Sequence, residues 1–477
     1  MAETAECHNL PLEILHLICS QFCAHCYDER LSVKFSMGSD AKRTLVALCR
    51  TSRLFRTIAQ PLLYHRIPRW YRWLPLIRAL QGRPDLAAGV RQLNQLRYDT
   101  GPWNDGAEFE EVKVIARGLL LERPEDPGFE LVDQEDISLH NFCLEILLAS
   151  FPSLQTLHML LDAEGHYTET GLPHLAFRYR TLDIVGLPEL RHLKINTECV
   201  WGYDFDNPGV LELLRAAPNL EQLVICRTRG LFNEWSAVAP MLPPLPLLRA
   251  LEFYNSVFEN EVGHFNMLQQ MVRNSPRLEH FRMHSQGAYL GEHVGMWLPA
   301  TQMLEALWPQ RHVLKFLDIN LTNHSLDTST RHREFFVDGS IIAEFTALET
   351  LKLDETLVCR HREIRSSSAA SCLTRIIPRR LKRLVVRLYE ESGMWNDLVE
   401  LGIQVAAGAF PRLEKVHVST MRRTRARMTS KEFVMEIAQN KKKVEESFAT
   451  SDVSLVFHGR SGVLVADEEE PYARGVF

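Results

Sequence analysis

The densest chemistry in the chain is "CSQFCAHC", where Cys19, Cys23, His25 and Cys26 set three thiols and an imidazole close together. Thiolates and imidazoles are the ligands of structural zinc, which takes four of them, commonly from two separated clusters. No second Cys-x-x-Cys follows, and Cys19 falls close to an apolar helical face, where a thiol packs as a small hydrophobe. The spacing therefore leads us to expect no bound metal and no cofactor. Catalytic patterns are lacking as well: there is no G-x-S-x-G elbow, P-loop, H-E-x-x-H or glycine-rich dinucleotide turn. The histidines stand singly among polar positions, so a chain without catalytic residues is expected.

Two basic stretches raise the question of nucleic acid. "LCRTSRLFRTIAQPLLYHRI", Leu48 to Ile67, carries four arginines and no acid, and Arg422 to Lys443 carries eight basic residues against two acidic ones. The whole chain balances 54 lysines and arginines against 60 acids, a net charge of −6, which argues against a surface built for a phosphate backbone. Placed on one helix, Leu45 to Gln60 shows an apolar face of Leu45, Leu48, Cys49, Phe55 and Ala59. A second strip of Ala47, Leu54 and Ile58 lies nearly opposite, and Pro61 is expected to end the helix. Two apolar strips suit a helix buried on one side in its own module and on the other in a protein partner. Nucleic acid is not expected, and Arg422–Lys443 reads as a solvated terminal helix followed by a mobile tail.

The elements that position these residues recur at a fixed period. "FPSLQTLHM" at Phe151 returns as "LPELRHLKI", "APNLEQLVI", "LPLLRALEF", "SPRLEHFRM", "RHVLKFLDI", "FTALETLKL", "IPRRLKRLVV" and "FPRLEKVHV". The shared pattern is Pro-x-Leu-x-x-Leu-x-apolar. Alternation such as Leu157-x-Met159 predicts a short strand with one buried face. Stretches such as "VLELLRAA" and "FNMLQQMVRN" predict a helix ahead of several copies. A unit of about 30 residues made of helix, turn and strand is too small to bury its own apolar face and must stack on its neighbours.

This pattern resembles the leucine-rich-repeat family, over about Leu86 to Val418. The resemblance implies an α/β solenoid with parallel strands inside and helices outside. The copies lack the asparagine ladder, so irregular curvature is expected. Function is expected on the strand positions that alternate with the buried ones. Among these, His158, Lys194, His280, Arg282, Phe316, Lys352 and Arg383 are the candidate substrate-binding residues. Basic and aromatic types outnumber acids there, which would suit an acidic or phosphorylated partner.

Upstream, "NLPLEILHLICSQFCAHC" places Leu10, Ile14, Leu17, Ile18 and Phe22 on one helical face, with Pro11 in a first helical turn. "LPLEILHLI" followed by "LVALCRTSRLFRTIAQPLLYHRI" resembles an F-box of the fungal type, over about Asn9 to Ile67. The segment Tyr27–Lys42 lengthens the connection between its helices, which a surface loop tolerates at small entropic cost. The resemblance implies a small all-α module that docks on a Skp-family adaptor and, through it, on a cullin, as the substrate receptor of an SCF-type E3 ubiquitin ligase. Carried over by position, the adaptor-binding candidates are Leu10, Pro11, Ile14, Leu15, Ile18, Leu45, Leu48, Cys49 and Phe55. An unknown protein would be the substrate. The expected layout is a docking module at 9–67, a linker at 68–85, repeats at 86–420 and a charged helix with tail at 421–477. A repeat scaffold with no link to ubiquitination stands as the alternative. No apolar run is long enough to span a membrane, the N-terminus "MAETAECHNL" lacks the features of a signal peptide, and the 10 cysteines are scattered. A cytoplasmic or nuclear protein is expected.

Overall fold

The structure is a computed structural model that describes residues 10–27, 38–67, 73–94, 111, 114–115, 144, 146–161, 186–197, 203–204, 208–230, 242–256, 262–284, 300–320, 339–358, 372–389, 394–421 and 431–458. Its fold is α/β and solenoid-like. A 12-stranded parallel sheet runs through the described residues in chain order. Its strands are β1 (Arg66–Ile67), β2 (Gln92–Leu93), β3 (Thr156–Leu161), β4 (His192–Thr197), β5 (Gln222–Cys226) and β6 (Ala250–Tyr254). They continue as β7 (His280–His284), β8 (Phe316–Asn320), β9 (Thr350–Asp354), β10 (Arg383–Tyr389), β11 (Lys415–Met421) and β12 (Ser454–His458). Tyr203–Asp204 and Thr228–Gly230 form a separate two-stranded pair.

The repeated sequence works as a turn followed by a strand. Leu154 N–H donates to Phe151 O at 3.1 Å, Leu190 to Leu187 O at 3.0 Å, and Leu220, Leu248, Leu278 and Leu413 repeat the contact. Proline occupies the second position of these six turns, where its fixed φ matches the backbone that the turn requires. The leucine that closes each turn is buried, and the next apolar residue lands in a single column across the sheet. Ile67, Leu93, Leu157 and Leu193 pair in sequence, and the column continues through Leu223, Leu251, Phe281, Leu317, Leu351, Leu384 and Val416 to Leu455. A slip of one residue would turn every one of these side chains to the opposite face, so burial fixes the register. Helices supply the other wall. Val210, Leu211, Leu213 and Leu214 of Pro208–Ala216, and Met267, Leu268, Met271 and Val272 of Val262–Arg273, join one continuous core with the strands.

Both ends of the sheet lie outside the expected repeat limits. The stretch expected as a linker contains a helix, Trp73–Gln81, whose Leu74, Leu76, Ile77 and Leu80 are in the main core, and β1 precedes it. At the other end, the helix Lys431–Phe448 buries Val444 and Phe448, and β12 pairs with β11 from Lys415↔Ser454 onward. The segment expected as a terminal helix and tail therefore carries one more helix-strand unit. The rest of that segment, 422–430 and 459–477, lies outside the described residues.

The N-terminal helices are α1 (Leu12–Ser20), α2 (Ala24–Tyr27), α3 (Gly38–Thr51) and α4 (Arg53–Tyr64). The single helix expected over Leu45–Gln60 is two. Ser52 is extended, and its hydroxyl accepts the Phe55 N–H at 3.1 Å, which caps the start of α4. Pro61 does not end α4, which continues to Tyr64. Pro11 sits just ahead of α1 as its cap, its carbonyl accepting from Ile14 and Leu15. Leu15, Cys19, Cys23, Leu45, Ile58, Ala59 and Leu62 form a second core, separate from that of the sheet, with Phe22, Leu48, Cys49, Phe55 and Leu63 packed against it. Of the lengthened connection, 28–37 lies outside the described residues. None of the helices is long and apolar enough to cross a membrane, among the described residues.

Candidate functional site

Alternation along the strands leaves three rows of side chains on the face opposite the core. The middle row runs His158, Lys194, Val224, Glu252, Arg282, Asp318, Lys352, Val385 and His417, each in register with the next. From Glu252 to Lys352 the charges alternate in sign on adjacent parallel strands. The row beyond it places Tyr254, His284 and Asn320 side by side, then Asp354 beside Arg387.

These residues form one buried network. Arg282 reaches Glu252 Oε2 through Nη1 and Asp318 Oδ2 through Nε, both at 3.2 Å. Arg387 Nη2 donates to Asp318 Oδ1 at 2.8 Å, and His284 Nε2 to Asp318 Oδ2 at 2.9 Å. Glu252 accepts from Gln222 Nε2 at 2.9 Å and from the Tyr254 hydroxyl at 2.6 Å. Arg282 also donates to Tyr254 Oη. Asp318 has no exposed surface, and Arg282 and Arg387 are buried.

Burial alone would raise the carboxyl of Asp318, but Arg387, His284 and Arg282 outweigh it and hold the group well below the usual carboxylate range. Glu252 follows the same logic: burial pushes it up, and Arg282, His280, Tyr254 and Gln222 together bring it below its ordinary value. Burial drives His284 down against the pull of Asp318, so the imidazole is neutral near pH 7 with Nε2 as the donor. Tyr254 is pushed far up by burial and by Glu252. Ionised acids that only accept, paired with guanidiniums that only donate, make a cross-strand clamp of two carboxylates and two guanidiniums, in which Arg387 Nη1 is left without a hydrogen-bond partner among the described residues.

The expected substrate residues divide accordingly. Arg282 and Lys352 are buried in or beside this network, and Arg282 is held by Glu252 and Asp318. His280 and Phe316 are partly exposed and stacked, with ring centroids 3.9 Å apart and planes 5° from parallel. Arg282 and Lys352 each approach the Phe316 ring to 5.3 Å, so the structure brings His280, Arg282, Phe316 and Lys352 together. His158 and Lys194 are partly exposed neighbours farther along the sheet, and Arg383 lies between Thr350 and Lys415 in the first row. The basic excess expected on this face is offset at its centre by Glu252 and Asp318. Sequence reasoning followed two positions per strand and so missed Tyr254, His284 and Arg387. Continuing the two-residue period by one more step finds them.

The nine expected docking residues also divide. Leu15 and Leu45 are enclosed in the core of the N-terminal helices, while Leu48, Cys49 and Phe55 pack against it. Leu10, Pro11, Ile14 and Ile18 point outward. One further apolar residue shares that surface, Leu17 at 59% exposure, while Leu12 is exposed at the start of α1 on the side of Leu15 and Cys19. Of the apolar stripe read from α1, Leu10, Ile14, Leu17 and Ile18 face outward, while Phe22 packs against the helical core that encloses Leu15 and Cys19. Leu54 of α4 is exposed as well.

A third cluster holds metal-ligating types. The Cys23 and Cys26 thiols and a His65 ring nitrogen lie within 4.8 Å of one another. Cys26 and then His65 act on Cys23 against its burial and lower it to about 4, whereas Cys23 and burial push Cys26 up. Cys19 belongs to the helical core instead. No family model matches the chain, and no curated protein matches it in sequence.

Proposed function

We propose that the protein is the non-catalytic substrate receptor of an SCF-type ubiquitin ligase, with α1–α4 as an F-box-like module and the parallel sheet as a degenerate leucine-rich-repeat solenoid. The observation that carries this reading is the outward apolar stripe of Leu10, Ile14, Leu17 and Ile18 on helices that already have their own core. Large apolar side chains gathered on one exposed helix face mark a protein-interaction surface. Leucines left over after the module has closed its core are what adaptor docking needs.

Under this reading, the module fixes the chain to a Skp-family adaptor and its cullin, and the sheet face holds a protein substrate. Transfer of ubiquitin to the substrate then becomes effectively intramolecular, because its lysines are kept at high local concentration. The ubiquitin chemistry belongs to the other subunits. On the sheet face, the His280–Phe316 stack and the partly exposed His158 and Lys194 are the contact candidates, and the buried clamp keeps their strands in register. Binding of a purified Skp-family adaptor to the whole chain tests the reading. A chain that binds protein ligands on its sheet and no adaptor would be a scaffold unconnected with ubiquitination.

A further inference from the structure

The cysteines of "CSQFCAHC" meet their missing partner through the fold. Cys23 ends the loop after α1, His25 and Cys26 lie on the single turn of α2, and His65 follows the last residue of α4. His65 Nδ1 is 3.7 Å from Cys23 Sγ and 3.3 Å from Cys26 Sγ, and His25 Nδ1 is 3.9 Å from Cys26 Sγ. A tetrahedral zinc ion with ordinary Zn–S and Zn–N bond lengths keeps its sulfur and nitrogen ligands ~3.6 Å apart. The three contacts scatter about that separation.

We propose that Cys23, Cys26 and His65, whose donor atoms already lie within 4.8 Å of one another, hold one zinc(II) ion at the seam between the N-terminal helices and the sheet, with His25 closing in from beside Cys26 as the fourth ligand of a Cys2His2 centre. A second observation supports His25 as the fourth ligand. Its Nε2 lies 3.1 Å from Gln155 Oε1, an oxygen that can only accept. The ring proton is therefore on Nε2, and Nδ1, the nitrogen facing Cys26, keeps its lone pair. A ligating histidine whose other nitrogen donates to an oxygen is the usual arrangement around structural zinc. Two thiolates and two imidazoles favour zinc over the oxygen-seeking cations.

The ligands also explain what the ion does. Cys23, His25 and Cys26 belong to the first half of the helical module. His65 lies where the chain enters β1, and its carbonyl accepts the Arg91 and Gln92 N–H groups that begin β2. Gln155, which orients His25, stands at the head of β3. Zinc would fasten the helices to the first three strands and fix how a partner bound on α1 is presented to the sheet. The spacing concealed this because His65 is 39 residues beyond Cys26, and it is not part of a second Cys-x-x-Cys.

The test is the zinc content of the full chain purified under reducing conditions without chelator, alongside Cys26→Ser and His25→Ala. Cys26 is exposed, so its replacement leaves the core packing alone, and unchanged circular dichroism would confirm the fold. The expected results are one equivalent of zinc in the wild type, loss of that equivalent in Cys26→Ser, and at least tenfold weaker zinc affinity in His25→Ala. Cobalt(II) should give the d–d bands and thiolate charge transfer of a tetrahedral two-sulfur site, absent in Cys26→Ser. Zinc well below one equivalent, full binding by either variant, or a Cys23–Cys26 disulfide as the species that persists under reduction would overturn the proposal. None of these readouts depends on adaptor binding, so this proposal and the ligase reading fail separately.

Discussion

Arg387 of β10 reaches across the whole of β9 to place its Nη2 2.8 Å from Asp318 Oδ1 on β8. Lys352 and Asp354 belong to the strand between. A salt bridge that spans three strands ties together units 69 residues apart in sequence, at a point where water is excluded. Such a pair acts on the relative placement of repeats, which local strand pairing alone specifies weakly.

Removing Asp318 leaves the Arg387 charge buried and uncompensated, at a cost of about 3 kcal/mol. Asp318→Asn should therefore lower the urea midpoint clearly, and Arg387→Gln should do so by less, because Asp318 keeps Arg282 and His284. Their combination should cost less than the sum of the two, since both remove the same interaction. Additive losses would show that the two side chains do not cooperate.

Surface pairs are the contrast. The residue after each turn-closing leucine alternates in sign from Arg191 through Glu221, Arg249, Glu279, Lys315, Glu349 and Lys382 to Glu414. Within this series Lys315–Glu279 and Lys382–Glu349 both stand at 3.1 Å. These groups are substantially exposed, so each pair is worth at most ~1 kcal/mol. Glu349→Gln should cost no more than that, and added salt should shrink the difference. A loss as large as that of Asp318→Asn would contradict the distinction between the two networks.

Acid should act in two stages. His284 is held below the ordinary histidine value of ~6.5. As pH falls below that value the unfolded chain takes up a proton that folded His284 refuses, and stability declines. Asp318 and Glu252 are both depressed, so their contribution is complete above the ordinary carboxylate value of ~4 and is lost as pH falls toward their folded values. Urea midpoints measured against pH should show both stages, and His284→Gln should flatten the first. A His284→Gln profile that keeps the full slope just below ~6.5 would show that His284 is not its source.

Gly402 marks where the last unit docks. It lies in Trp395–Ala406, and a Cβ there would come within 2.8 Å of Phe448 Cδ2 and into the side chain of Ser447. Phe448 is buried and cannot swing aside, so Gly402→Ala should overpack the contact by roughly 1–3 kcal/mol. Limited proteolysis should then release the C-terminal helix and strand before the rest. Equal protection of wild type and variant would count against this packing.

The sequence made much of this architecture legible because one physical unit repeats. Proline and leucine at a turn, followed by alternating apolar residues, predict both strand and register, and the copies from Phe151 to Val418 fall on strands of the sheet. The ends were hidden for local reasons. β1 is two residues long and has no Pro-x-Leu turn before it. "DVSLVFH" around β12 lacks the shared motif and follows a charged helix. The break at Ser52 was masked because apolar residues keep a helical spacing on both sides of it. Composition suggested a basic inner face, yet the network shows that the position of two acids matters more than the count of bases. Spacing places Leu10, Ile14, Leu17, Ile18 and Phe22 on one helical face, but it does not say that the first four point outward and that Phe22 packs against the core.

The proposed function requires that the outward stripe of α1 dock the chain on a ligase adaptor. The most direct measurement is the binding of a purified Skp-family adaptor to the full chain, compared with Leu17→Asp. Leu17 is 59% exposed, so the charge should leave the helical core intact, and circular dichroism on the same samples checks that it does. A stoichiometric complex is expected with the wild type and at least a tenfold weaker one with Leu17→Asp. No complex with the wild type, or equal affinity for both, would contradict it.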